Sequence, residues 1–261
     1  MWTLAQLAVV GTGSFGYGVV DAFLDRLKRD NDSVGVTFDV GANDGAWTRW
    51  LFRRAAQRGV APRRLRIHAF EPQPRYASVL SALERVGEVR VHGALASTTN
   101  SNATLFYPSS DAQAASTLPS MAAAYSSGGI LRAPMRVQAV DLSALLRAET
   151  NESSTALLKC DIEGGEYALL PRLITAGVLC NVRHLLVEWH LNALPPRERL
   201  AGLGLRLSFE ALLRAGCADA DRSWHVEHDE YRKNNVGEPV DGLANVCERK
   251  NSTRNRTRWA V

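Results

Sequence analysis

Four short strings hold the residues of this chain whose types and spacing could do chemistry, and each follows an apolar run. The first, Phe38-Asp39-Val40-Gly41-Ala42-Asn43-Asp44-Gly45, stands where a strand pattern gives way to a helical one. Gly41 lets the backbone turn sharply and lets a ligand approach it closely, and Gly45 lets the next helix start near by. The helix N-terminus then offers unpaired N–H groups to an anion. A dinucleotide pyrophosphate fingerprint needs a glycine where Asn43 stands. The turn therefore suits an amino-acid carboxylate better, with Asp39 at the strand end placed to face the ammonium group. The second string, His68-Ala69-Phe70-Glu71-Pro72, ends the next strand in an acid, which is the place and the chemistry for accepting hydrogen bonds from both hydroxyls of a ribose. The third, Lys159-Cys160-Asp161-Ile162-Glu163-Gly164-Gly165-Glu166, sets three carboxylates at the end of an apolar strand. Carboxylates so crowded have their pKa values pushed apart, which suits general-base work or cation binding. Glu166 has a second reading, as a charge favouring a helix N-terminus. The fourth, Glu188-Trp189-His190, ends a later strand, and His190 there could take a proton from a hydroxyl near neutral pH.

These strings need a sheet to align them. Apolar runs alternate with helical patterns, which predicts α/β architecture: a Rossmann-like, doubly wound, mostly parallel sheet in a single domain. Strands are expected at 34–40, 65–70, 89–95, 104–107, 135–140, 157–162, 182–189, 224–228 and 243–247. Helices are expected at 46–58, after Pro72 and Pro74 to about Val86, at 142–148 and 167–176, and at 196–215 as one long helix or two short ones. A long Ser/Ala/Gly-rich segment, 108–134, reads as a lid over the acceptor side of the site rather than as part of the sheet. Residues 1–33 form an N-terminal segment, 34–249 the catalytic domain, and 250–261 a flexible basic tail. Met1–Val20 carries no Lys, Arg, Asp or Glu, which raises a signal anchor. It also lacks a basic start and is diluted by four glycines, so packing is favoured over membrane anchoring, with Val20, Phe23, Leu24 and Leu27 on one helix face.

In this order, DVGANDG, FEP, Val140-Asp141-Leu142 and KCDIEGGEY resemble the FkbM family of methyltransferases, over about Thr37 to Asn192. The resemblance implies S-adenosyl-L-methionine as methyl donor and O-methylation of a hydroxyl on a sugar, a glycan or a small natural product. It makes Asp39, Gly41, Asn43, Gly45 and Glu71 cofactor contacts, and Asp161, Glu163 and Glu166 the family's acidic cluster. Methyl transfer from a sulfonium is an in-line displacement, so the protein must orient the acceptor oxygen and remove one proton. Asp161 or His190 is the expected base, with Glu163 orienting the acceptor or joining Asp161 around a divalent cation. Oxygen ligands would select magnesium or manganese, but one acidic cluster does not define a coordination sphere, and no metal site is assigned. Two rivals stand beside this reading. One is a silent module that binds adenosylmethionine; the other is an NAD(P)-dependent oxidoreductase, disfavoured by Asn43 and by the lack of a Tyr-x-x-x-Lys pair.

Composition is that of a globular protein: 261 residues, 46% hydrophobic and 22% charged, with net charge +4. The basic excess is mild and lacks interleaved aromatics, so no nucleic-acid partner is expected. Cys160, Cys180, Cys217 and Cys247 show no zinc-ligand spacing. Cys160 reads as a buried apolar residue, while Cys217 can pair with Cys247, or either with Cys180. Asn-x-Ser/Thr sequons at Asn102, Asn151, Asn251 and Asn255 hint at the secretory pathway.

Overall fold

The computed structural model describes residues 17–30, 33–109, 114–151, 154–217 and 223–228. In chain order the elements are α1 (Tyr17–Arg29), β1 (Gly35–Val40), α2 (Ala46–Gln57), β2 (Leu65–Phe70), α3 (Ala77–Ser81), β3 (Glu88–His92), β4 (Leu95–Ser97), β5 (Ser101–Leu105), α4 (Pro119–Ala124), β6 (Met135–Asp141), α5 (Leu142–Glu149), β7 (Thr155–Cys160), α6 (Glu166–Thr175), β8 (His184–Trp189), α7 (Pro196–Gly216) and β9 (Ser223–His228).

Six strands form one sheet in the order β3-β2-β1-β7-β8-β9, and every neighbouring pair is parallel. Strands β1, β7 and β8 are buried along their whole length, because helices cover both faces of a parallel sheet. On one face Val36, Phe38, Leu158, Val187 and Trp189 pack with α5, α6 and α7. On the other, Leu157, Ile67 and Leu186 pack with α1 and α2. Val20, Phe23, Leu24 and Leu27, the face expected of the first helix, are all fully buried there. Asp21 of α1 pairs with Arg54 of α2 at 2.5 Å, and Arg66 pairs with Glu88, so the basic run 53–66 is partly spent on internal ties. The chain winds leftward from β1 to β2 and rightward from β7 to β8. The carboxyl ends of β1 and β7 therefore flank the point where strand order reverses, the place where open α/β sheets bind ligands.

The structure departs from the expected elements in four places. The strand expected at 89–95 breaks at Gly93: β3 stays in the main sheet, while β4 joins a separate three-stranded sheet, β4-β6-β5. In that sheet β6 runs parallel to β4 and antiparallel to β5, and β5 spans 101–105 rather than 104–107. The helix expected after Pro72 and Pro74 to about Val86 is only α3, flanked by 3₁₀ turns at Pro74–Tyr76 and Leu83–Arg85. The segment 108–134 is not a plain loop, since it contains α4 and bridges Phe106 to Ser116 and Pro108 to Leu131. Strand β9 enters the sheet parallel to β8 after the α7 crossover. Its expected companion at 243–247, the first 16 residues and the tail 250–261 lie outside the described residues. No described helix is long and apolar enough to cross a membrane.

Candidate active site

The turn after β1 is built around close backbone approach. Gly41 has φ +84°, and a Cβ there would stand 1.8 Å from the Asp161 carbonyl oxygen, so the ends of β1 and β7 meet only because residue 41 is glycine. The N–H groups of Gly41 and Ala42 both donate to the Phe70 carbonyl, at 3.1 and 2.9 Å. Asn43 takes φ +51° and Gly45 φ +79°. A Cβ on Gly45 would meet Leu83 and Leu80, so this glycine serves packing of the turn against the α3 region. The N–H groups expected to await an anion are partly engaged already. Asn43 N–H donates to Glu71 Oε2 at 2.9 Å, and Ala46 N–H to Asp44 Oδ1 at 2.8 Å. Glu71, 6% exposed, also accepts Gln73 N–H on Oε1 at 2.9 Å. Burial pushes its carboxyl pKa up, against the pull of those two N–H groups.

Asp39 does not take the place expected of it. Its side chain lies on the α1/α2 face, fully buried, where Oδ2 accepts from Thr48 Oγ1 at 2.7 Å. Oδ1 lies 3.2 Å from the buried ammonium of Lys159. Lys159 also donates to the Gly41 carbonyl at 2.6 Å and reaches Asp161 at 3.5 Å. Burial alone would lower the lysine pKa, but Asp39 and Asp161 overcome it and raise the value. Lys159 is thus a tie between the two site turns that the motifs did not single out. The signal was available, since a lysine between Leu158 and Cys160 in an apolar strand needs buried partners.

The acidic strand end is also a network. Glu166, fully buried in the first turn of α6, accepts Gly164 N–H at 2.9 Å and His190 N–H at 3.0 Å. It lies 2.7 Å from His190 Nδ1, which fixes the ring. His190 Nε2 then faces Glu163 at 3.3 Å and Asp161 at 3.6 Å. Burial would lower the imidazole pKa, but Glu166, Glu163 and Asp161 together lift it well above the usual range. Among the described residues, Asp161, Glu163 and His190 bring their ligand atoms within 4.8 Å of one another, a donor set that could hold a divalent cation. Asp141, of the Val140-Asp141-Leu142 motif, is the N-cap of α5, accepting Ser143 N–H at 2.9 Å.

One cleft joins these parts. Gly41, Asn43, Glu71 and Gln73 line it together with Asp161, Glu163 and Gly165. Leu95, Ser97, Thr98, Ala103 and Leu105 of the small-sheet region form a further wall. His190, 2% exposed, stands behind the two carboxylates and is not on the cleft wall. The 108–134 segment supplies Ala115 and Thr117 to the lining. It is fastened to the acidic turn by Ser116 Oγ–H, which donates to the Glu163 carbonyl at 2.6 Å. Met121, fully buried, packs so close to Gly164 that a Cβ there would lie 2.7 Å from it.

Residues 39–215 match the family described as the methyltransferase FkbM domain. Neither a curated protein nor a solved structure matches the chain.

Proposed function

The chain belongs to the FkbM methyltransferase family, and on that premise we propose that it moves a methyl group from S-adenosylmethionine to a hydroxyl of a sugar, a glycan or a small natural product. The observation that carries this reading is the single cleft that opens both on the Gly41–Asn43 turn with Glu71 and on Asp161 with Glu163. The residues present fit the donor. Glu71 has its two oxygens fixed by backbone N–H groups, and each keeps a further lone pair for a ribose hydroxyl. When bound, the donor supplies a methyl on a positively charged sulfur. Asp161 and Glu163, which line the same cleft, hold the acceptor hydroxyl by hydrogen bonds, and Asp161 takes its proton as the oxygen attacks. His190 is off the cleft wall and faces Glu166, Glu163 and Asp161, which raise its pKa, so it is set to orient the two cleft carboxylates rather than to meet the acceptor. We therefore assign it a positioning role in place of the base role expected from its strand-end position.

A second reading rests on the facing atoms of Asp161, Glu163 and His190. A magnesium or manganese ion there would displace the imidazolium proton and polarise the acceptor oxygen. Turnover that disappears on dialysis against EDTA and returns with MgCl₂ would favour it.

The test of the main reading is a cell extract incubated with isotopically labelled methyl donor and either the wild-type chain or Asp161→Asn. Label should enter a hydroxyl-bearing product. The variant should keep donor affinity and lose turnover by about 100-fold or more, the size of a general-base contribution. Near-normal turnover in Asp161→Asn removes the role assigned to it. Donor binding with no labelled product from the wild type would leave a silent binding module.

A further inference from the structure

We propose that this chain carries N-linked glycans on Asn102 and Asn151 and matures in an oxidising compartment. Asn102-Ala103-Thr104 lies on β5, and side chains alternate along a strand. Ala103 and Leu105 turn inward and line the cleft, so Asn102 and Thr104 point outward, and both are exposed. β5 is an edge strand of the small sheet, so an oligosaccharide there has open space beside it. Asn151, also exposed, follows α5 and precedes the amino end of β7. That places it at the sheet edge opposite the cleft. Neither Asn102 nor Asn151 lines the cleft.

An independent observation points to the same compartment. Cys180, in the turn before β8, and Cys217, at the end of α7, form a disulfide with a Cα–Cα distance of 5.2 Å. It is one of the pairings left open by the sequence. Disulfides persist in secretory and other oxidising compartments, where N-glycosylation also takes place.

The chemistry balances with co-reactants of that compartment. The Asn amide nitrogen attacks C1 of a lipid pyrophosphate-linked oligosaccharide and displaces the lipid pyrophosphate: the C1–O bond breaks, a C1–N bond forms, and the amide proton leaves with the pyrophosphate. The two cysteine thiols give two electrons and two protons to an oxidised dithiol carrier, which leaves as the dithiol.

The proposal is independent of methyl transfer, and so is its test. The full chain is expressed in eukaryotic cells, purified with thiols blocked by alkylation, and treated with peptide N-glycosidase F in ¹⁸O-water. Peptide mass spectrometry should find residues 102 and 151 converted to ¹⁸O-labelled aspartate, and Cys180 linked to Cys217 and unalkylated. Asn102→Gln and Asn151→Gln should each remove one step of the electrophoretic shift. Intact asparagine at either position overturns the assignment there, even with glycans on Asn251 or Asn255. Alkylated Cys180 and Cys217 overturn the compartment.

Discussion

Replacing Lys159 by Met keeps the aliphatic stem and removes the buried ammonium. Asp39 is fully buried. Without the lysine its carboxylate keeps the Thr48 hydroxyl bond at 2.7 Å and loses the cation at 3.2 Å. Stranding one charge of a buried pair costs about 3 to 5 kcal/mol, a large share of the roughly 5 to 15 kcal/mol that holds a domain together. The Gly41 carbonyl loses its donor in the same step, so the turn that lines the cleft should loosen and donor affinity should fall as well. Asp39→Asn in the same chain removes the stranded charge. The double variant should therefore recover more than about 2 kcal/mol relative to additivity, as expected of residues in contact. Urea unfolding at pH 7.5, followed by tryptophan fluorescence, measures both quantities, and titration calorimetry measures the affinity. A loss under about 1 kcal/mol in Lys159→Met, or strict additivity with Asp39→Asn, would refute the buried tie.

Glu71→Gln sets an amide NH₂ against a backbone N–H at Asn43 or Gln73. It should weaken adenosylmethionine binding by about 1.5 to 3 kcal/mol, roughly 10- to 100-fold in calorimetric Kd; unchanged affinity rules out the ribose role. His68, stacked on Phe38 at 5.2 Å, has its pKa lowered by burial from 6.5 to about 4. The unfolded chain takes up that proton first, so stability is unaffected above pH 6.5 and falls as pH drops toward 4, by about 3 kcal/mol when complete. Urea midpoints at pH 7.5 and 4.5 should show a smaller acid loss in His68→Phe than in the wild type, and equal losses would contradict this. Chymotrypsin should cut near Tyr125 more slowly with S-adenosylhomocysteine bound, because Ser116 and Met121 fasten the 108–134 segment to the acidic turn. Cleavage that ignores the ligand argues against a lid.

Local patterns were enough for the strand-turn-helix at 35–57, for β2 at its observed bounds and for the buried face of α1, while the choice between one long helix and two short ones at 196–215 was settled by the structure as the single α7. The first three are decided by residues close in the chain: an apolar run, a glycine at positive φ, a 3.6-residue period. The cleft-lining residues Gly41, Asn43, Glu71, Asp161 and Glu163 were legible for the same reason, since strand ends in a doubly wound sheet mark its ligand edge. What the sequence left open was the direction of side chains on strands buried on both faces. Every position of β1 is buried, so alternation could not tell whether Asp39 met the ligand or Lys159. The break at Gly93 and the small sheet depend on β6 pairing with residues about 40 positions away, and the Lys159 to Gly41 bond spans 118. His190 was legible as one of two candidate bases at a strand end, but its partners Glu166, Glu163 and Asp161 were not. Likewise, the cysteine spacing allowed several pairings, and only the packing of α7 beside the turn before β8 brought Cys217 to Cys180. Charge and hydrogen-bond partners are chosen by distance in space, and that distance is set only when the two halves of the sheet close on each other.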